Sequence, residues 1–173
     1  MPNAASYSVA EVLRDGGHIE IRALRHDDRE GLIAAIARTS NESLYHRFFG
    51  PKHFFSEKEI SFFLDVDFVN HVALVAVADE DGRPAIVGGA RYIVVGPAQA
   101  EVSFMVIDSY QGRGIGTLLL RHLAGIARGA GIKEFVAEVM PDNVSMLGVF
   151  RHSGMRESTK LQPGDVHVVL ELN

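Results

Sequence analysis

An apolar run leads through three closely spaced glycines into an amphipathic run over residues 102–131. The first run, VSFMVI, has the composition of a buried strand, and TLLLRHLAGIARG repeats its apolar residues at helical spacing. Another strand-like run, IKEFVAEV, follows at residues 132–139. A strand, a helix and a second strand in this order predict a βαβ crossover, and that unit requires two parallel strands in one sheet.

The remaining apolar runs predict strands that need not be parallel. HVALVAVAD, AIVGGARYIVV and AEVSFMVI are joined by the short turns EDGRP and GPAQ, which favours an antiparallel meander. HIEIRAL at residues 18–24 predicts a first strand, and MRESTKLQ with DVHVVLEL predicts a closing hairpin. With the helices included, the order is β-α-α-α-β-β-β-α-β-α-β-β. We therefore expect an α/β (α+β) fold built on one mixed sheet.

Local signals place the predicted helices. DDREGLIAAIART, residues 27–39, repeats its apolar residues at helical spacing. Ser56 and Glu59 have the S-x-x-E spacing of a capping box, which predicts a helix as far as about Leu64. Asp142 or Asn143 can cap the segment VSMLGVFRHS, which glycine then ends.

Length and composition limit the classes of function. For 173 residues we expect a single domain over residues 1–173, with residues 1–17 a flexible or loosely packed lead-in. The net charge of −5 argues against nucleic acid as a partner. No apolar run reaches the ~20 residues that span a bilayer, so no membrane partner is expected. Without cysteines or a histidine pair at metal-ligand spacing, we expect no metal site and a cytoplasmic location.

The glycine cluster, Gly112, Gly114 and Gly116, directly precedes a predicted helix. Glycines let a ligand approach the backbone, and the free N–H groups of a helix N-terminus attract phosphate. The Walker A pattern is absent, and the spacing GxGxG differs from the GxGxxG of dinucleotide folds. We interpret the loop as a cradle for a pyrophosphate, with a glycine-rich turn that holds no ligand as the alternative.

The pattern Gln111-x-x-Gly114-x-Gly116, between a strand and an amphipathic helix, resembles the acyl-CoA signature of the GNAT superfamily of N-acetyltransferases. The order of elements over residues 18–172 is similar as well. The resemblance implies that the loop amides hold the CoA pyrophosphate and that the preceding strand lends backbone groups to the pantetheine and thioester. The cofactor-binding residues implied are Phe104, Met105, Val106, Gln111, Gly112, Arg113, Gly114, Ile115, Gly116, Asn143 and Phe150. For Asn143 helix capping is the alternative, and it can do both.

The segments SNESLYHRFFGPKHFFSEKEI and EVMPDNVSMLGVFRHSGM narrow the resemblance to the catalytic domain of Pat-type bacterial protein lysine acetyltransferases. The element Y-x-R-F-F-G-P, from Tyr45 to Pro51, is more distinctive than the glycine loop. The resemblance implies acetyl-CoA as cosubstrate and a lysine-bearing protein as acceptor, with acyl-CoA synthetases among the candidates. It implies that Tyr45, Arg47 and Phe48 shape the acceptor entrance. Packing in the core is the alternative for this aromatic element.

Transfer to an amine requires a base, because a lysine amine has a reference pKa near ~10.4 and is protonated at neutral pH. Glu101 opens the strand before the loop, and its neighbours Val102, Phe104 and Val106 predict an apolar surround. The Pat-type resemblance places the general base on Glu101; an exposed strand glutamate is the alternative. Many superfamily members protonate the leaving thiolate with a tyrosine, whereas Phe150 has no proton to give. Without cysteine, we expect direct attack by the amine in a ternary complex.

Two other functions stay open from the sequence. One is acetylation of a small amine, such as a polyamine, an amino acid or an aminoglycoside. The other is a non-catalytic acyl-CoA sensor, which Phe150 favours and Glu101 opposes. The sequence does not determine the acceptor, the preferred acyl chain or the oligomeric state. A homodimer is one of the oligomeric states that stay open.

Overall fold

One eight-stranded sheet runs through the computed structural model, which describes residues 4–172 apart from residues 51 and 53. Its strands are β1 (Ser8–Val12), β2 (His18–Ala23), β3 (His71–Glu80), β4 (Arg83–Gly96), β5 (Gln99–Val106), β6 (Glu134–Val139), β7 (Arg156–Gln162) and β8 (Asp165–Glu171). The order across the sheet is β1-β2-β3-β4-β5-β6-β8-β7. All neighbouring strands are antiparallel except β5 and β6, which are parallel. The predicted mixed sheet and its single crossover are therefore confirmed.

Among the described residues, five α-helices pack on this sheet. They are α1 (Arg29–Ala37), α2 (Asn41–Phe48), α3 (Glu57–Leu64), α4 (Ile115–Gly129) and α5 (Val144–Arg151). The predicted capping box is present at α3, where the Ser56 side chain accepts from the Glu59 N–H and the Glu59 side chain accepts from the Ser56 N–H. Of the two predicted caps for α5, Asn143 is the one that forms, because its side chain accepts from the N–H of Met146 at 3.2 Å.

The helices cover both faces of the sheet. A Cβ added at Gly88 would lie 3.3 Å from the Ile115 side chain, so this residue faces α4. Arg91 is three residues further along β4 and faces the opposite side, since side chains alternate along a strand. There it donates to the Phe63 carbonyl of α3. Helix α4 buries one stripe, formed by Ile115, Leu119, Leu120, Leu123, Ala124 and Ala127.

The parallel pair β5–β6 is short. Pairing begins at Gln99 and Glu134 and ends at Glu101 and Val136, three residue pairs in all. Beyond this point β5 stays paired with β4 as far as Val106, and β6 stays paired with β8. The two strands therefore separate towards their carboxyl ends and leave a gap in the sheet.

The strand β1 was not predicted. It pairs antiparallel with β2 from Ser8 opposite Arg22 to Val12 opposite His18. None of its five residues is buried, so the apolar alternation that reveals a strand in sequence is weak here. The helix predicted over residues 27–39 is also shorter, because His26–Asp28 forms a 3-10 turn before α1 begins at Arg29.

No helix among the described residues is long and apolar enough to cross a membrane. Within the same residues, no group of three histidine, aspartate or glutamate side chains converges as metal ligands would.

A buried ion pair joins β2 to the turn before α1. The Arg22 guanidinium donates to both carboxylate oxygens of Asp28, at 2.8 and 2.9 Å, and both residues are 8% exposed. The Asp28 carboxylate also accepts from the Arg25 N–H at 2.7 Å. Burial acts to raise the pKa of Asp28, but the hydrogen bonds from Arg22 and Arg25 outweigh it and hold that pKa below its ordinary value. The ion pair therefore stabilises the fold when Asp28 is ionised.

We predict that Asp28→Asn lowers the free energy of unfolding by about 3–5 kcal/mol at neutral pH, because Arg22 is left buried without a counter-charge. A carboxyl whose folded pKa is depressed stabilises above its unfolded pKa, near ~3.9, and loses that contribution as the pH falls through its folded value. The difference in the free energy of unfolding between wild type and variant should therefore become smaller in acid. Urea unfolding across pH measures it, with the exposed neighbour Asp27→Asn as control. An equal loss in the Asp27 variant would contradict this account.

Candidate active site

A cleft of about 690 Å³ lies where β5 and β6 separate. Its walls come from the end of β5, the end of β6, the start of α4, helix α5 and helix α2. Residues 104–106 of β5 line it on one side, and residues 137–139 of β6 line it on the other. The sheet thus contributes backbone that no neighbouring strand covers, and such backbone can bind an extended ligand.

The glycine loop closes one end of this cleft. Gly112 and Gly114 have φ values of 77° and 88°, in the left-handed region that favours glycine. Gly114 is the N-cap residue directly before α4, and no side chain caps the helix there. The N–H groups of the first turn of α4 are therefore free for a ligand, and they carry the partial positive charge of a helix N-terminus. This geometry suits a phosphate or pyrophosphate group.

Gln111 fixes the loop from inside. Its side-chain amide donates to the Val106 carbonyl and to the Ser43 hydroxyl, both at 3.0 Å. The first contact ties the loop to the end of β5, and the second ties it to α2. Gln111 also lines the cleft, together with Gly112, Gly114, Ile115 and Gly116, and their binding of the cofactor stays a prediction.

The positions of two arginine side chains near the loop differ from the prediction. Arg113 was expected to bind the cofactor, but its side chain pairs with Asp15 at 2.6 Å, packs over the Tyr110 ring and does not line the cleft. Arg14 was not anticipated, yet it lines the cleft, and its guanidinium lies 3.5 Å from the position a Cβ would take at Gly114. Arg14 therefore places a positive charge beside the loop. It stands 100 positions before Gly114 in sequence, so no local motif could have identified it.

Helix α5 forms another wall of the cleft and packs beside the start of α4, where a Cβ added at Gly116 would lie 3.5 Å from the Val149 side chain. Asn143 both caps this helix and lines the cleft, and Phe150 lines it from the buried side. The Phe150 ring packs edge-on against Phe104 of β5, with ring centroids 5.8 Å apart. Across the opening, His46 of α2 lies 3.2 Å from the Asp142 carboxylate. This contact connects α2 to the loop before α5.

Glu101 lies on β5 before the strands separate. It is exposed and does not line the cleft, so the expected apolar surround is wrong. By strand alternation it shares a face with Ser103 and Met105, both of which line the cleft. Its negative charge acts to raise the pKa of Arg47, which also lines the cleft. Glu101 is therefore close enough to act electrostatically on the cleft.

The described residues of the aromatic element from Tyr45 to Pro51 lie in different surroundings, some in the core and some at the cleft. Phe48 packs with Phe55 and Phe63, at centroid distances of 5.2 and 6.1 Å, as the core interpretation expected. Tyr45 is 42% exposed and lines neither the cleft nor the cavity described next. Arg47 lines both. Pro51, the last residue of the element, lies outside the described residues.

A second, smaller cavity of about 60 Å³ adjoins the cleft beneath α1 and α2. Arg47, Ser103, Phe104 and Met105 line both spaces, so the cavity lies directly beside the end of β5. Arg91 of β4 also lines it, a residue that the sequence analysis did not single out. The signal was present, since Arg91 interrupts the apolar run AIVGGARYIVV, but a charge within a strand does not reveal what it faces.

Burial lowers the pKa of both cavity arginines. The pKa of Arg47 falls to about 10, with Glu101 acting in the opposite direction. The pKa of Arg91 falls to about 9, because burial and the nearby charge of Arg47 both disfavour its protonated form. Both residues are partly exposed. Both guanidinium groups remain charged at neutral pH.

The chain matches a known protein family in sequence and in structure. The family model described as the acetyltransferase (GNAT) family matches residues 36–155. The crystal structure of the GNAT domain of PAT from S. lividans superposes with a TM-score of 0.86 at 36% identity, covering 95% of this chain and 96% of that one.

Two known proteins are similar to this chain in sequence. Acetyltransferase PA5475 of Pseudomonas aeruginosa is 36% identical over 125 residues, which cover 72% of this chain and 67% of the relative. Acetyltransferase Pat of Mycolicibacterium smegmatis is 31% identical over 144 residues, which cover 82% of this chain. The match spans only 42% of the length of that Pat protein.

We predict that Gly114→Ala weakens the affinity for coenzyme A by about tenfold. A residue with a Cβ pays about 1–2 kcal/mol in the left-handed region, so the loop shifts away from its binding geometry. Isothermal titration calorimetry measures the effect. The control is Gly125→Ala in the exposed middle of α4, where a Cβ meets no atom within 4 Å. It should raise stability by roughly 0.5–1 kcal/mol and leave the affinity unchanged. Unaltered affinity in the Gly114 variant would count against a role of the loop in binding.

Proposed function

This chain belongs to the GNAT acetyltransferase family, and on that premise we propose that it transfers an acetyl group from acetyl-CoA to lysine ε-amines of proteins. The observation that carries the proposal is the cleft between β5 and β6, closed at one end by the uncapped start of α4. It offers a phosphate cradle at one end and free strand backbone along its length. Those are the two features that a pyrophosphate joined to an extended pantetheine arm requires.

In the proposed complex the donor lies along the cleft. The pyrophosphate binds the N–H groups of residues 112–116, with Arg14 beside it. The pantetheine arm extends along residues 104–106 of β5, between this strand and α5. A backbone N–H at Met105 or Val106 then donates to the thioester oxygen and stabilises the charge that develops there.

The proposed reaction is direct acyl transfer. Glu101 removes a proton from the ammonium group, the amine nitrogen attacks the thioester carbonyl carbon, and the N–C bond forms as the C–S bond breaks. After the attack the nitrogen still carries one proton more than the amide product and loses it to water, and the CoA thiolate leaves and takes a proton from water, since Phe150 has none to give. Its pKa is near ~8.5 by analogy with cysteine, so it leaves without an acid.

Glu101 acts through water in this scheme. It stands four residues before Met105 on the same strand, roughly 13 Å at ~3.3 Å per residue. A general base acts in direct contact or through one water, so in this scheme the amine binds between Glu101 and the thioester and one water bridges it to the carboxylate. Its exposure on the face shared with Ser103 and Met105 supports this route.

The protein acceptor is supported by the similarity to the GNAT domain of S. lividans PAT over nearly the whole of both chains. An exposed aromatic residue also lines the cleft, since Phe49 is 43% exposed. A small amine is the second candidate acceptor, because the cavity of about 60 Å³ beside the cleft can receive a compact group. A non-catalytic sensor is the third reading, and it predicts CoA binding without transfer.

We predict that Glu101→Gln lowers kcat for acetyl transfer by about 10²–10⁴ and leaves the affinity for CoA unchanged, because the amide cannot accept the proton. The loss of kcat relative to wild type should become smaller as the pH approaches ~10.4, because much of the amine is then already neutral. Mass spectrometry of acetylated products measures transfer, with acetyl-CoA and a panel of lysine-bearing proteins, acyl-CoA synthetases included, and small amines. The matched control is Glu30→Gln, an exposed carboxylate on α1.

Acetyl-lysine on a protein that depends on Glu101 would establish the proposal and identify the acceptor. Acetylation confined to small amines would move the function to the second candidate. Tight binding of CoA with no acetylated product from any amine would refute the enzyme and favour the sensor.

A further inference from the structure

Two arginines from different elements face one small cavity beside the cleft. Arg47 comes from the end of α2 and Arg91 from the middle of β4, and both line the cavity of about 60 Å³. Most of the other lining side chains are apolar, including Leu32, Ile36, Phe48, Phe63 and Leu74. The cavity therefore places two positive charges in largely apolar surroundings.

In the part of the chain that the structure describes, neither arginine has a carboxylate within ion-pair distance, and Glu101 acts on Arg47 only through electrostatics at longer range. Among the described residues, no aspartate or glutamate oxygen lies within 4 Å of either guanidinium. Arg91 donates instead to the Phe63 carbonyl at 3.0 Å and to the ring nitrogen Nε2 of His71 at 2.8 Å. Burial and the charge of Arg91 lower the pKa of His71, so that ring is a neutral acceptor. Arg47 stacks on the Phe48 ring, 4.6 Å from its centroid.

The same molecule shows how a buried arginine is neutralised. Arg22 pairs with Asp28 through two hydrogen bonds. A charge removed from water is costly unless it is paired, and two like charges in one cavity add repulsion. The repulsion is evident, since the charge of Arg47 lowers the pKa of Arg91. An anion in the cavity would relieve both costs, and a planar carboxylate matches the paired donors of a guanidinium.

The cavity lies beside the part of the cleft where the substrates are proposed to react, so a substrate could supply this anion. Ser103, Phe104 and Met105 line the cavity and also the part of the cleft where the thioester is proposed to lie. A group in the cavity is therefore close to the reacting carbon. The floor of the cavity is open because Gly89, paired with Met105 across β4 and β5, has no side chain.

We infer that Arg47 and Arg91 bind one carboxylate of a substrate, so that the reacting acyl group or the acceptor amine carries a negative charge beside the reaction centre. The inference rests on the proposed acyl transfer and goes beyond acetyl-CoA and protein lysines as its substrates. A dicarboxylic acyl-CoA would bring the carboxylate on the donor. An amino acid, or another amine with a nearby carboxylate, would bring it on the acceptor.

The test compares carboxylate ligands with neutral partners of similar size by calorimetry. In the first arm, succinyl-CoA is compared with butyryl-CoA. In the second arm, with CoA bound, free lysine is compared with lysinamide. We expect at least a tenfold tighter affinity for the carboxylate member in one arm, and the arm that shows it identifies the source. We expect Arg47→Met and Arg91→Met each to remove that preference.

Controls separate loss of the subsite from loss of the fold. Arg83→Met, an exposed arginine on the same strand as Arg91, should keep the preference. Gly89→Ala keeps both charges but adds a methyl group, whose nearest neighbour is the Leu74 carbonyl at 3.4 Å, and it should weaken the preferred carboxylate ligand at least threefold. Each variant is checked for its melting temperature and its affinity for CoA.

Two results would overturn the inference: no preference for a carboxylate in either arm, or a preference that survives in correctly folded Arg47 and Arg91 variants. The assay measures binding, so it decides the inference whether or not acetyl transfer is observed. Failure of the proposed function would instead appear as CoA binding with no acetylated amine.

Discussion

The early end of the pairing between β5 and β6 is the constraint on which the rest of the site depends. Only three residue pairs join these strands, from Gln99 and Glu134 to Glu101 and Val136. Had the pairing continued, the backbone of residues 104–106 would be used by the sheet and no ligand could bind it. Because it stops, the sheet opens a cleft while β4 and β8 keep the two separating strands in place. The glycine loop and α4 then follow directly from the end of β5, so phosphate cradle and free backbone arise from one continuous segment.

Charge is distributed unevenly around this cleft. Arg14 lies near the start of α4, where an anionic ligand gains from both the helix N-terminus and the guanidinium. Glu101 lies near the other end of β5, on the face shared with Ser103 and Met105. Arg47 and Arg91 stand between these regions in a cavity with no carboxylate within ion-pair distance among the described residues. We propose that these three regions bind a phosphate, an ammonium group and a further anion.

Much of this arrangement could be predicted from the sequence, and the rest depends on contacts between distant residues. The mixed sheet, its crossover, the capping box at Ser56 and the family all follow from local patterns and were confirmed. Strand β1 was missed because none of its residues is buried. Arg113 was assigned to the ligand because it stands in the loop, but Asp15, 98 residues away, takes its side chain. Arg14 and Arg91 were not identified, because their roles arise only when separate segments pack together.

The most direct test of the account is hydrogen exchange of the backbone amides with and without coenzyme A, measured by mass spectrometry. Binding in the cleft predicts protection of residues 112–118 at the start of α4 and of residues 104–106 on β5. The β7–β8 hairpin, which does not line the cleft, should be unchanged. Saturating CoA that leaves the exchange of residues 104–106 and 112–118 unaltered would contradict the claim that the gap between β5 and β6 is the donor site.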